Sequence, residues 1–140
     1  MKILALSDQT VDFIYSPTVR ERFADLDLII GCGDLPASYL EYVVTQLNVP
    51  LVYVPGNHDP DNLHVPGGRS IDGISIRLKG LTVCGLGGSR RYKEDGRHQY
   101  TEAQMQWRVV QLASRLWPNR LRLGRGMDVL VTHAPPLHIH

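Results

Sequence analysis

Three short apolar runs, separated by two stretches of helical character, limit what this chain can fold into. Residues 3–6 (Ile-Leu-Ala-Leu), 26–30 (Leu-Asp-Leu-Ile-Ile) and 51–54 (Leu-Val-Tyr-Val) each read as a buried strand. Pro17 suits the first position of a short helix between the first two runs, with Ser16 as its cap. Pro36 opens a second helix to about Asn48, with Leu40, Val43, Val44 and Leu47 at helical spacing. Strand, helix, strand, helix, strand in this order calls for a parallel sheet with right-handed crossovers. Such a sheet delivers the loops after its strands to one edge, where open α/β sheets hold their ligands.

The pattern then changes. Residues 61–73 form a loop containing Pro66-Gly67-Gly68. Residues 74–78 alternate, Lys79-Gly80 makes a tight turn and residues 81–86 follow as a strand, which together predict a hairpin. A hairpin here means either a mixed sheet or a second sheet packed on the first. Thr101 and Gln104 have capping-box spacing. The helix they open carries Met105, Val109, Leu112, Ala113 and Leu116 as one apolar stripe to about Trp117, where Pro118 is expected to stop it. Residues 129–131 are a last short strand. No repeat or linker divides the sequence, so the 140 residues read as one domain.

Four of the strands end in polar residues of one chemical kind: Asp8, then Gly33-Asp34, then Gly56-Asn57-His58-Asp59, then His133. Each alone has a plain structural reading. Asp8 could close a turn, Asp34 could cap the helix opened by Pro36, and His133 could be an ordinary loop histidine. Together they make a set of carboxylate, amide oxygen and imidazole, which suits Mn, Fe or Zn and suits thiolate-seeking ions poorly. Two such cations about 3.5–4 Å apart, sharing one carboxylate, would polarise a phosphoryl group and generate a hydroxide nucleophile. His58 would then act beside the centre, protonating a leaving alkoxide or stabilising charge, with Asp59 orienting its ring.

Composition narrows the partners. With 43% apolar and 21% charged residues, the chain has the make-up of a globular protein with a real core. A net charge of +1 does not call for a polyanion. Arg90, Arg91, Lys93, Arg97 and Arg108 begin a basic second half, which reads first as a solvated face and only second as a nucleic-acid surface. Cys32 and Cys84 are isolated and lie in or just after apolar runs, as expected in a reducing compartment; a cytoplasmic location follows. The apolar start is too short for a signal peptide or a membrane span.

In order and approximate spacing, Asp8, Gly33-Asp34, Gly56-Asn57-His58-Asp59 and Thr132-His133-Ala134-Pro135-Pro136 resemble the successive motifs of the calcineurin-like metallophosphoesterases. The resemblance implies an α/β fold, a four-layer α/β/β/α sandwich with mixed sheets. It implies two divalent metal ions, with Asp34 bridging them, Asp8 on one, and Asn57 and His133 on the other. The substrate would be a phosphate mono- or diester, with His58 as acid or charge stabiliser and Asp59 supporting it. The glycine-rich exit from the strand at residues 81–86 would lie near the metals, where Ser89, Arg90 and Arg91 could contact phosphate.

Two departures qualify the resemblance. The first motif, usually Asp-x-His, reads Asp8-Gln9-Thr10, so a weak hydroxyl ligand stands where an imidazole is expected. The later Gly-His-x-His motif is missing, and the His138 and His140 pair follows His133 too closely to replace it. The expectation is therefore a domain incomplete at its C-terminal end, with an open sheet edge that a homodimer could cover. The competing reading is a scaffold of the same fold that binds a protein partner, for which the retromer subunit is a precedent.

Overall fold

The computed structural model describes residues 1–135, so His138 and His140 lie outside the described residues. Strands β1 (Ile3–Leu6), β2 (Leu28–Gly31) and β3 (Leu51–Tyr53) pair in that order and in parallel. Leu6 stands opposite Gly31, and Gly31 opposite Tyr53, so the three strands end level with one another. Helix α1 (Val19–Arg22) is shorter than expected, beginning two residues after Pro17. Ser16 does not cap it; its hydroxyl accepts instead from the N–H of Thr18, ahead of the helix. Helix α2 (Ala37–Leu47) has Pro36 before it and Asn48, in the left-handed conformation, closing it.

A strand that the sequence does not advertise follows. β4 (Gly68–Ser70) lies within the expected Pro/Gly loop and adds to β3 in parallel. It is a three-residue edge strand, and neither Arg69 nor Ser70 is buried, so it carries no apolar pattern to read. The predicted hairpin is present as β5 (Ser75–Leu78) and β6 (Leu81–Leu86), antiparallel across the Lys79-Gly80 turn. It begins a second sheet, in which β9 (Val129–Thr132) pairs with β6 in parallel. Between them, β7 (Ser89–Arg90) and β8 (Gln99–Tyr100) form a small parallel pair, and α3 (Glu102–Leu123) follows.

Helix α3 opens on the capping box expected at Thr101 and Gln104, with both reciprocal hydrogen bonds made. It does not stop at Pro118 but runs through it. A proline inside a helix removes one N–H and crowds the carbonyl four residues back. Here Pro118 and Ser114 are both exposed, so water can satisfy that carbonyl, and Leu116 behind them stays buried.

Alternation along the central strands sorts the core into distinct clusters. Ile29, Leu51 and Tyr53 pack with Tyr39, Leu40, Val43 and Leu47 of α2. Their neighbours Leu28, Ile30, Val52 and Val54 point the other way and meet Val83 and Val131 of the second sheet. On the far side of β6, Cys84 and Leu86 pack against Leu112 and Leu116 of α3. The mixed α/β fold expected from the sequence is thus observed, with the second sheet separate from the first. β1 is less buried than its composition implies. As the edge strand it buries only Leu6, and Ile3 stays 40% exposed.

Candidate metal centre

Because β1, β2 and β3 are parallel and end level, residues 8, 34 and 57–59 emerge side by side. Asp8 and Asp34 both adopt positive φ, 62° and 56°. The left-handed region is sparsely used by residues with side chains, although Asp tolerates it better than most. Here it turns two carboxylates back over the sheet edge. The Asp8 N–H donates to the carbonyl of Gly33 at 3.2 Å, which ties the first loop to the second.

The second and third loops touch backbone to backbone. A Cβ on Gly33 would lie 2.5 Å from the nitrogen of Gly56 and 2.8 Å from Nδ1 of His133. A Cβ on Gly56 would fall on the Asp34 carboxylate. Neither position admits a side chain while the site keeps its shape. Asp59, 5% exposed, locks this contact: its Oδ2 accepts from the N–H of Asp34 and from that of Gly56, each at 2.8 Å. The hydrogen bonds to Asp59 thus come from these two amides, where the sequence reading had it orient the ring of His58.

Asp34 divides its carboxylate. Oδ1 accepts from the N–H of His58 at 2.8 Å, which leaves Oδ2 facing into the site. His133, carried in from the second sheet by β9, places Nε2 3.4 Å from that oxygen and 3.1 Å from Oδ1 of Asn57. Its Nδ1 donates to the carbonyl of Cys32 at 2.8 Å, which in the neutral ring leaves Nε2 with a lone pair. Three lone-pair atoms then converge with no hydrogen among them. Either a proton on Nε2 or a cation relieves that arrangement, and the donor set of carboxylate, amide and imidazole fits a divalent cation. Atoms of Asp8, Asp34 and His133 all lie within 4.8 Å of one another.

The ring of His58 stands at the mouth of the cluster, its side chain 71% exposed and its Nε2 4.0 Å from Oδ2 of Asp34. Thr10 is exposed. The structure therefore brings together Asp8, Asp34, Asn57, His58, Asp59 and His133. The Ser89, Arg90 and Arg91 group is tied elsewhere. Ser89 donates to the carbonyl of Arg90, and Arg91 donates to the side chain of Gln104. Arg90 lines a cavity of about 380 Å³ between α3 and β9, shared with apolar Leu86, Met105, Val109 and Leu130 and with none of the cluster residues. One neighbour of the cluster escaped the sequence reading: the hydroxyl of Tyr92 accepts from Nδ2 of Asn57 at 3.0 Å.

The calcineurin-like phosphoesterase family matches the sequence over residues 1–140. The chain belongs to that family. The match spans Asp8, Gly33-Asp34, Gly56-Asn57-His58-Asp59 and His133, and the family carries out metal-dependent phosphoester hydrolysis in general. Comparison with curated proteins gives no match. In this phosphoesterase domain no helix among the described residues is long and apolar enough to cross a membrane.

Proposed function

We propose that this chain hydrolyses a phosphate mono- or diester at a binuclear divalent-metal centre of Mn, Fe or Zn. Asp8 and Asp34 would hold one cation, and Asp34, Asn57 and His133 the other. The observation that carries the reading is the convergence of Asn57 Oδ1 and Asp34 Oδ2 on His133 Nε2, at 3.1 and 3.4 Å. Divalent cations bound there would supply Lewis acidity to a phosphoryl oxygen and lower the pKa of water.

The protein's own residues supply the rest. The carbonyl of Cys32 fixes the tautomer of His133 and turns its Nε2 inward. The N–H of His58 holds Asp34 so that one oxygen stays free. The exposed ring of His58 is free to reach a leaving-group oxygen and give it a proton, or to stabilise charge there. Ser89, Arg90 and Arg91, whose own contacts lie elsewhere, would serve only to attract phosphate at longer range through their charge and polarity. A cytoplasmic location is part of the proposal and rests on the two free cysteines. The test is metal analysis of the purified protein together with turnover of an aryl phosphate in added Mn²⁺. Metal uptake with turnover supports the reading; absence of both removes it.

A second reading has an observation of its own. Val109 and Leu130 are exposed beside the edge of β9 that has no partner strand among the described residues. Apolar surface next to an open strand edge favours a protein partner, and we propose a second copy of this chain as that partner. Light scattering decides it: a dimer agrees, and a monomer at high protein concentration rejects it.

A further inference from the structure

We infer that Tyr92 is a positioning residue for Asn57, holding its amide oxygen toward the metal centre. The inference rests on the proposed reading that Asn57 holds a cation. An amide has one oxygen and one nitrogen, and only the oxygen can face a cation. Nδ2 must then face outward, where its N–H needs an acceptor, and the phenol oxygen of Tyr92 provides one at 3.0 Å.

Tyr92 is 57% exposed, so its fixed place needs a cause, and the segment that carries it supplies one. The side chain of Gln99, 5% exposed, accepts from the N–H of Tyr92 at 3.2 Å and from that of Lys93 at 3.1 Å. The ends of the segment are joined by the pairing of β7 with β8. Arg108 lies over the ring of Tyr100, 4.3 Å from its centroid, and is ion-paired to Asp72. Oδ1 of Asp72 also accepts from the N–H of Gly87 at 2.6 Å.

The same segment is bonded to the Asn57 loop on both sides of Tyr92. Gly88 donates its N–H to the carbonyl of Pro55 at 2.8 Å. The ring of His98 lies 3.3 Å from the carbonyl of Pro60 and 3.8 Å from Asp61. A segment fastened before and after the residue it aims at can hold one hydroxyl against one amide. This is the arrangement that groups behind a metal ligand use to orient it.

The experiment measures Mn²⁺ affinity by titration calorimetry, with thermal melts of every variant. Tyr92→Phe keeps the ring and removes the acceptor, and it should weaken Mn²⁺ binding about three- to tenfold with the melting temperature unchanged. Asn57→Asp supplies an oxygen in either orientation and has no N–H to place. In that background Tyr92→Phe should change the affinity by less than about twofold. Unchanged affinity in Tyr92→Phe overturns the inference and leaves the metal reading standing. An equal loss in both backgrounds also overturns it, because the effect would then belong to the segment's structure. If the unmodified protein takes up no Mn²⁺, the metal reading fails and this inference falls with it.

Discussion

The backbone N–H of Asp34 is held by the carboxylate of Asp59, 2.8 Å away, across a gap of 25 residues in the sequence. Because Asp59 also takes the N–H of Gly56, one buried side chain joins the loops after β2 and β3.

Removing that carboxylate should loosen the site before it touches any chemistry. Asp59→Ala leaves two N–H groups without their acceptor, one of them in a buried bond. Each costs roughly 1–3 kcal/mol when left unmade. Urea unfolding is expected to show a loss of about 2–4 kcal/mol, together with weaker Mn²⁺ binding.

Asp34→Asn should separate folding from function. The amide oxygen can still accept from the N–H of His58, so the loop keeps that bond. The charge facing His133 is lost. Turnover of an aryl phosphate should fall by about a hundredfold or more, while the melting curve moves by no more than a few degrees.

His58 is expected to behave differently from the ligands. In the proposed mechanism His58 gives a proton at the mouth of the site, and His58→Gln removes that group without disturbing the buried cluster. Removal of a general acid typically costs about 10²–10⁴-fold in rate. Turnover should fall in that range with Mn²⁺ affinity unchanged, whereas a parallel loss of metal binding would make His58 a ligand.

Chelation supplies a test that needs no mutation. Dialysis against a chelator should abolish turnover, and Mn²⁺ should restore it. Because a cation bound only by the folded state stabilises that state, the melting temperature should rise with Mn²⁺ concentration. Melting curves that do not respond to Mn²⁺ would count against the centre.

Cys84 gives a pH prediction away from the site. It is fully buried, and burial, with the Asp128 carboxylate adding to it, pushes its thiol above the usual range. The folded thiol therefore keeps its proton at a pH where the unfolded one, near its ordinary value of about 8.5, begins to lose it. Its contribution to stability is present below that value and declines as pH rises through it. At pH 8 a thiol reagent should leave Cys84 unmodified until the protein is unfolded.

How far the sequence could be read follows from which interactions are local. β2, β3 and β6 announce themselves because both of their faces are buried, as the alternation of Leu28 and Ile29 between two clusters shows. β4 is silent, since an edge strand of Gly68, Arg69 and Ser70 makes its bonds with backbone alone. Pro118 misleads because a helix tolerates proline where the freed carbonyl meets water. The clustering of Asp8, Asp34, Asn57 and His133 was legible as four strand ends of one chemistry. The work of Asp59 and the place of Tyr92 were not, because each depends on a partner about 25–35 residues away.

The bare contact of Gly33 with Gly56 has a consequence for what the centre can accept. With no side chain between the loops, the separation of Asp34 from Asn57 is inherited from the spacing of β2 and β3, about 4.8 Å in any sheet. The gauge of the site is therefore a constant of backbone hydrogen bonding. Exchanging the side chains of Asp34 or Asn57 would change which atoms face the site, but moving the two loops apart would require a different strand pairing.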